Sequence, residues 1–167
     1  KVYDIPVMYF PKFFHPDPNV KRKSGFLIPT IKNSANTTNY FSIPYFSVIS
    51  QNKDLTFTPR LYSNNDFLLQ TEYRQENEFS SHVSDFSLFN QKEDTKSHFY
   101  YKYNKYINFA NFDEGNIKLK IEKTSNDTYL RKSKLSSPLF RSLNVLENTF
   151  GINLSTDKVS FDSEFII

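Results

Sequence analysis

Apolar and polar residues alternate with a period of two along most of the chain, and the 3.6-residue period of an amphipathic helix is hardly seen. Leu55, Phe57, Pro59 and Leu61 share one side of a run whose other side carries Asp54, Thr56, Thr58, Arg60 and Tyr62. Ile117, Leu119 and Ile121 alternate with Lys118, Lys120 and Glu122. Phe99, Tyr101, Tyr103, Ile107 and Phe109 oppose His98, Lys102, Asn104 and Asn108, and Val159, Phe161, Phe165 and Ile167 share a side with Ser163. β-branched and aromatic residues are enriched in each run, as strands require. The pattern predicts about nine strands, near 23–33, 38–51, 53–63, 67–76, 81–90, 97–109, 115–124, 142–155 and 158–167.

These runs are long. A tilted membrane-crossing strand needs roughly 9–11 residues, whereas strands of water-soluble proteins average about 5–6. The connections also take turns. Gln51-Asn52-Lys53, Glu76 to Ser81, Ala110 to Asn116 and Ser155 to Lys158 are compact and polar. Those between them, Asn33 to Asn39, Asn90 to Ser97 and the stretch 125–141, are longer, although Ser63 to Asp66 is short where a long loop is expected. Outer-membrane barrels pair short inner turns with longer outer loops in this way. The expected fold is therefore all-β: a partial antiparallel transmembrane β-barrel, a meander of about nine strands.

The first 22 residues differ. Tyr3 to Pro11 is an extended apolar run broken by prolines, which confines it to a sheet edge. His15-Pro16-Asp17-Pro18 forbids helix and marks a stiff connector, so a boundary is expected at about 12–22. The chain begins at Lys1 with no signal peptide and stops inside Phe165-Ile166-Ile167, and it is read as a segment of a longer protein.

Composition sharpens this picture mainly by exclusion. Phe and Tyr make up 17% of the chain, yet mean hydropathy is −0.59, as expected where apolar and polar residues alternate on two faces of a wall. Net charge is +3, with 21 basic and 18 acidic residues dispersed, so no clustered nucleic-acid footprint exists. Absence of cysteine removes disulfides, thiol nucleophiles and Cys-ligated metals. His15, His82 and His98 lack metal-like spacing, Glu93-Asp94 and Asp113-Glu114 sit in polar turns, and Ser24-Gly25 lies outside any nucleophile elbow. No catalytic, metal or cofactor site is expected.

Ile5-Pro6-Val7-Met8-Tyr9-Phe10-Pro11, Lys21-Arg22-Lys23-Ser24-Gly25-Phe26-Leu27-Ile28-Pro29, Tyr40-Phe41-Ser42-Ile43-Pro44-Tyr45-Phe46, Asp54-Leu55-Thr56-Phe57-Thr58-Pro59-Arg60 and Glu72-Tyr73-Arg74 together resemble the LPS-assembly protein LptD family, also called organic solvent tolerance proteins. The likeness is strong over 5–75, and Ser125 to Leu130 echoes it more weakly. It implies that residues 1–22 end a periplasmic jelly-roll domain and its linker. Residues 23–167 would be the N-terminal strands of an outer-membrane β-barrel in a Gram-negative bacterium. It further implies a function in lipopolysaccharide transport and insertion into the outer leaflet, an LptE-like plug lipoprotein inside the barrel, and an LptA-like periplasmic bridge met through the jelly roll.

Two sets of candidate residues follow. Pro29 and Pro44 interrupt alternating strands, where proline removes a ladder donor. By themselves they read as bulges or strand ends; by the resemblance they match prolines that weaken a lateral gate between first and last strands. Arg60, Arg74, Lys118 and Lys120 fall on the polar, lumenal faces. They read either as ordinary lumenal solvation or as contacts for lipopolysaccharide phosphates. Lys21-Arg22-Lys23 reads as a solvated connector or a contact for anionic lipid. The alternatives to this function are another outer-membrane porin or channel, and a soluble β-sandwich binding module.

Overall fold

A computed structural model describes residues 22–33, 38–109, 112–139 and 145–166. Its strands are β1 (Gly25–Phe26), β2 (Thr30–Lys32), β3 (Tyr40–Ser42), β4 (Tyr45–Ser50), β5 (Lys53–Tyr62), β6 (Phe67–Asn77), β7 (Ser80–Asn90), β8 (Thr95–Ile107), β9 (Glu114–Thr124), β10 (Thr149–Ser155) and β11 (Ser160–Ile166), with a short helix α1 (Tyr129–Ser133) between β9 and β10. All join one antiparallel sheet, in which neighbours in sequence are neighbours in space from β4 onward. β1 and β2 form one edge and β11 the other. The unit expected over residues 1–22 lies outside the described residues except for Arg22.

Eleven strands stand where nine were expected because proline breaks the first two. The predicted strand 23–33 is split into β1 and β2 around Pro29, and the strand 38–51 into β3 and β4 at Ile43-Pro44. β3 and β4 nonetheless keep a single register against β5, with Ser42 opposite Arg60 and Tyr45 opposite Phe57. The strand expected from 142 begins only at Thr149. Strand β8 starts at Thr95, which shortens the loop expected from Asn90 to Ser97 to a four-residue turn closed by Gln91 N–H donating to Asp94 O at 2.9 Å. Ser63 to Asp66 is also tight: Asn65 takes φ 67°, a left-handed conformation that asparagine tolerates.

Register pairing fixes the faces. Leu55, Phe57, Leu61, Ile117, Leu119 and Ile121 lie on one face with Phe86, Phe99 and Phe165, while Thr56, Thr58, Arg60, Lys118 and Lys120 lie on the other. The apolar face is open, with Leu61 58% and Phe165 59% exposed. Two contacts join polar tips on it: the Tyr73 hydroxyl donates to Gln75 Oε1 at 2.6 Å, and His82 Nδ1 lies 3.0 Å from the Tyr101 hydroxyl.

The small core sits on the polar face. Residues 129–139 fold back over the sheet there and bury Tyr129, Leu130, Leu135 and Leu139 against Leu68, Phe89 and Tyr100. α1 ends where Lys134 turns left-handed (φ 47°) and Leu135 N–H reaches back to Leu130 O at 3.1 Å, which drops Leu135 into that core. At the opposite end of the sheet Gly115 passes close to its neighbour. A Cβ there would lie 2.6 Å from the Ile107 carbonyl oxygen and 2.7 Å from Ile107 Cγ1. Gly115→Ala should therefore displace the β8–β9 ladder at a cost of about 1–3 kcal/mol, read as a lowered urea midpoint of the complete protein; an unchanged midpoint would show that the two backbones separate freely.

Candidate functional site

The sheet edge is built from residues that cannot all bond. Between β1 and β2 the chain keeps one rung to its neighbour, Leu27 N–H donating to Pro44 O at 2.8 Å. Proline brings no N–H to a ladder; Pro29 lies in the gap between β1 and β2, Pro44 in the gap between β3 and β4, and Pro59 inside the continuous β5 beside that second gap. Ser42 Oγ donates to Pro59 O at 2.7 Å and satisfies an acceptor there with a side chain. Below the break β1 pairs only Gly25 with Phe46 and Phe26 with Tyr45; above it β2 pairs Thr30 to Lys32 with β3. Phe26 and Ile28, 76% and 88% exposed, line this edge.

Just below the break a carboxylate gathers two cations. Asp54, on the polar face of β5, is ion-paired with Arg22 and accepts a bond from Arg74 Nε at 2.9 Å. Arg22 also lies over the Phe46 ring, 5.3 Å from its centroid. The arginine of the basic run is thus paired with the sheet while its side chain stays partly exposed. Only Lys23 of its neighbours is within the described residues, and it is exposed.

Higher on the polar face a buried network ties residues 129–139 to the strands. Asp85 accepts from Gln70 Nε2 at 2.9 Å and faces His98 Nε2 at 2.9 Å; His98 Nδ1 meets Ser87 Oγ at 2.5 Å, and Ser87 Oγ meets the Tyr129 hydroxyl at 2.7 Å. Gln70 Nε2 also donates to Ser136 O at 2.7 Å. Burial pushes the Tyr129 hydroxyl up to about 12. Serine, histidine and aspartate here have the composition of a hydrolytic triad, but all three are at most 1% exposed and Tyr129 occupies the serine hydroxyl. The arrangement is a fastening. Buried polar groups need such complete pairing, and one network member left alone would cost more than the bond is worth.

The sequence-derived cations are not brought together, and their partners differ. Arg74 is committed to Asp54 and lies 3.4 Å from Glu72. Lys120 lies 2.8 Å from Glu122 and 2.8 Å from Glu147. Lys118 is exposed and has no ion pair among the described residues. Arg60 is 8% exposed and donates only to carbonyls, Ser133 O at 2.7 Å and Lys134 O at 3.3 Å, with the Tyr40 ring 5.0 Å away. Asp54, Asp85 and His98 escaped the sequence reading. Alternation puts all three on the polar face, but their burial depends on residues more than 30 positions away.

A family model described as LptD protein matches residues 1–156. The LPS-assembly protein LptD of Shewanella oneidensis is 43% identical over 76 residues, covering 44% of this chain and 10% of that protein. The Coxiella burnetii protein of the same name is 39% identical over 70 residues, 42% of this chain and 8% of its own length. That of Francisella tularensis subsp. holarctica is 34% identical over 138 residues, 71% of this chain and 16% of its own length. The chain spans between 8% and 16% of these curated relatives.

Proposed function

The chain belongs to the LptD protein family, and from that premise we propose that it supplies the first strands of an outer-membrane β-barrel that moves lipopolysaccharide into the outer leaflet. The observation that carries this reading is the pair of interruptions at Pro29 and Pro44, side by side in the edge strands. An edge that must part to let an amphipathic lipid leave sideways gains from missing rungs, since each net backbone bond is worth about 0.5–1.5 kcal/mol. Pro29 and Pro44 are the proposed lateral gate.

Several further observations support a membrane wall over a soluble sandwich. β5 to β9 run 10, 11, 11, 13 and 11 residues, lengths suited to a tilted crossing. The apolar face meets no second sheet among the described residues, whereas a sandwich would bury it. Lipid would cover that face, and the polar face with residues 129–139 would look into the lumen. No helix among the described residues is long and apolar enough to cross a membrane. Of the four candidate lumenal contacts, Lys118 remains available to lipopolysaccharide phosphates, Arg60 is buried against the carbonyls of Ser133 and Lys134, and Arg74 and Lys120 are paired with carboxylates. Residues 1–22 would close a periplasmic jelly roll that meets an LptA-like bridge, and an LptE-like lipoprotein would plug the closed barrel. The role proposed is transport, with no chemical step.

The test is the double variant Pro29→Ala/Pro44→Ala in the complete protein. It should slow appearance of lipopolysaccharide at the cell surface, followed with an external modifying enzyme, while the amount of folded barrel stays normal. Unchanged delivery would return both prolines to strand-end bulges, as a porin-like barrel also predicts.

A further inference from the structure

A recess of about 380 Å³ opens at the outer end of the polar face, beside the edge strand, lined by Lys32, Tyr40, Tyr62, Lys132 and Lys134 among others. Its charge is unbalanced. The Lys32 and Lys134 ammonium groups repel one another, and Arg60 adds to the repulsion. None of the three has a carboxylate partner among the described residues. Asp66, the acid that lines the recess, is occupied by Asn64 Nδ2 at 2.8 Å and Gln91 Nε2 at 3.3 Å. Lys96 on the far wall is spoken for by Gln91 Oε1 at 3.1 Å. Two cations lie against one aromatic ring, Lys32 Nζ at 5.8 Å and the Arg60 guanidinium at 5.0 Å from the Tyr40 ring centroid.

Four lysines gathered around a concave site with a single acid among them raise the free energy of the empty state, and an anion relieves it. We propose that this recess binds a phosphate group, held by Lys32 and Lys134 with Tyr40 as its floor and the buried Arg60 as a fixed positive charge behind it. A compact, doubly charged oxyanion suits ammonium donors that can swivel to meet it. The site itself rests on these residues alone. That its phosphate belongs to a departing lipid rests on the proposed delivery function, because Lys32 closes the edge strand through which the lipid would leave.

The experiment uses the complete protein with its partners in detergent. Three ligands are titrated: inorganic pyrophosphate, followed by phosphorus NMR line width, bisphosphorylated lipid A, and lipid A stripped of phosphate. The variant is Lys32→Gln/Lys134→Asn, asparagine being chosen because position 134 is left-handed. It should weaken pyrophosphate and bisphosphorylated lipid A by about tenfold or more and leave the stripped lipid unchanged. A charge-matched variant at the other end of the sheet, Lys53→Gln/Lys158→Gln, should leave all three unchanged. Weakening of pyrophosphate alone would confirm the anion site and assign it to free phosphate. If lipid A in neither form binds the unaltered protein, the delivery reading fails while the pyrophosphate titration still decides the recess. Unchanged pyrophosphate binding in the double variant, at normal heat-modifiable gel mobility, overturns the proposal. Lys134→Asn alone gives the same reading should the double variant not assemble.

Discussion

Leu119→Arg should cost the complete protein about 2–4 kcal/mol of folding free energy, whereas Lys120→Arg, one residue on, should change little. Leu119 lies midway along β9 on the apolar face, opposite Tyr103 on one neighbour and Phe150 on the other. An arginine there would point into hydrocarbon with no carboxylate in reach. Lys120 points the other way, toward Glu122 and Glu147, and a guanidinium can take over both contacts. The measurement is the heat-modifiable fraction on gels after refolding into lipid across a urea series. Equal shifts for the two variants would reject the assignment of faces.

Asp85→Ala should release residues 129–139 from the polar face. The carboxylate is fully buried, and its removal leaves Gln70 Nε2 and His98 Nε2 without their acceptor. An orphaned buried donor costs about 1–3 kcal/mol, partly offset here because Gln70 keeps Ser136 O and His98 Nε2 lies 3.3 Å from Ser137 Oγ. The strands should survive, since their ladders do not pass through this residue's side chain. Trypsin should then cut after Arg131, Lys132 or Lys134 much faster than in the unaltered protein. Cleavage at the original rate would mean that the apolar contacts of Leu130, Leu135 and Leu139 hold the segment without the network.

Much of this was legible in the sequence, and what was not has a common cause. Strand positions and faces follow from a local period, so Leu55 to Leu61 and Ile117 to Ile121 could be assigned from their own neighbours. The strand count was off because Pro29 and Pro44 each divide a run whose alternation continues across the break. α1 was invisible: five residues hold less than two turns, too few to show a helical period. The Asp54 and Asp85 sites were out of reach for a different reason. Alternation says which face a carboxylate takes, but not that Arg22 will come to Asp54 from 32 positions away, or Tyr129 to Ser87 in the Asp85 network from 42. The gate prolines were found by resemblance as much as by pattern, since proline in a strand by itself marks any bulge.

The interruptions at Pro29 and Pro44, with Pro59 beside them in β5, also set how the sheet bends. A ladder resists flexing where rungs are continuous and yields where they are missing, so three neighbouring prolines score a crease across its corner. Above the crease, β2 and β3 form a small leaf attached to the body through three residue pairs, Tyr40 to Ser42 against Arg60 to Tyr62. Below it, the chain entering β1 is anchored to β5 by the ion pair of Arg22 with Asp54, which Arg74 on β6 also holds. Compliance is therefore uneven: the outer corner can swing while the inner corner stays fixed as a pivot, and movement of the upper leaf leaves the chain's point of entry where it was.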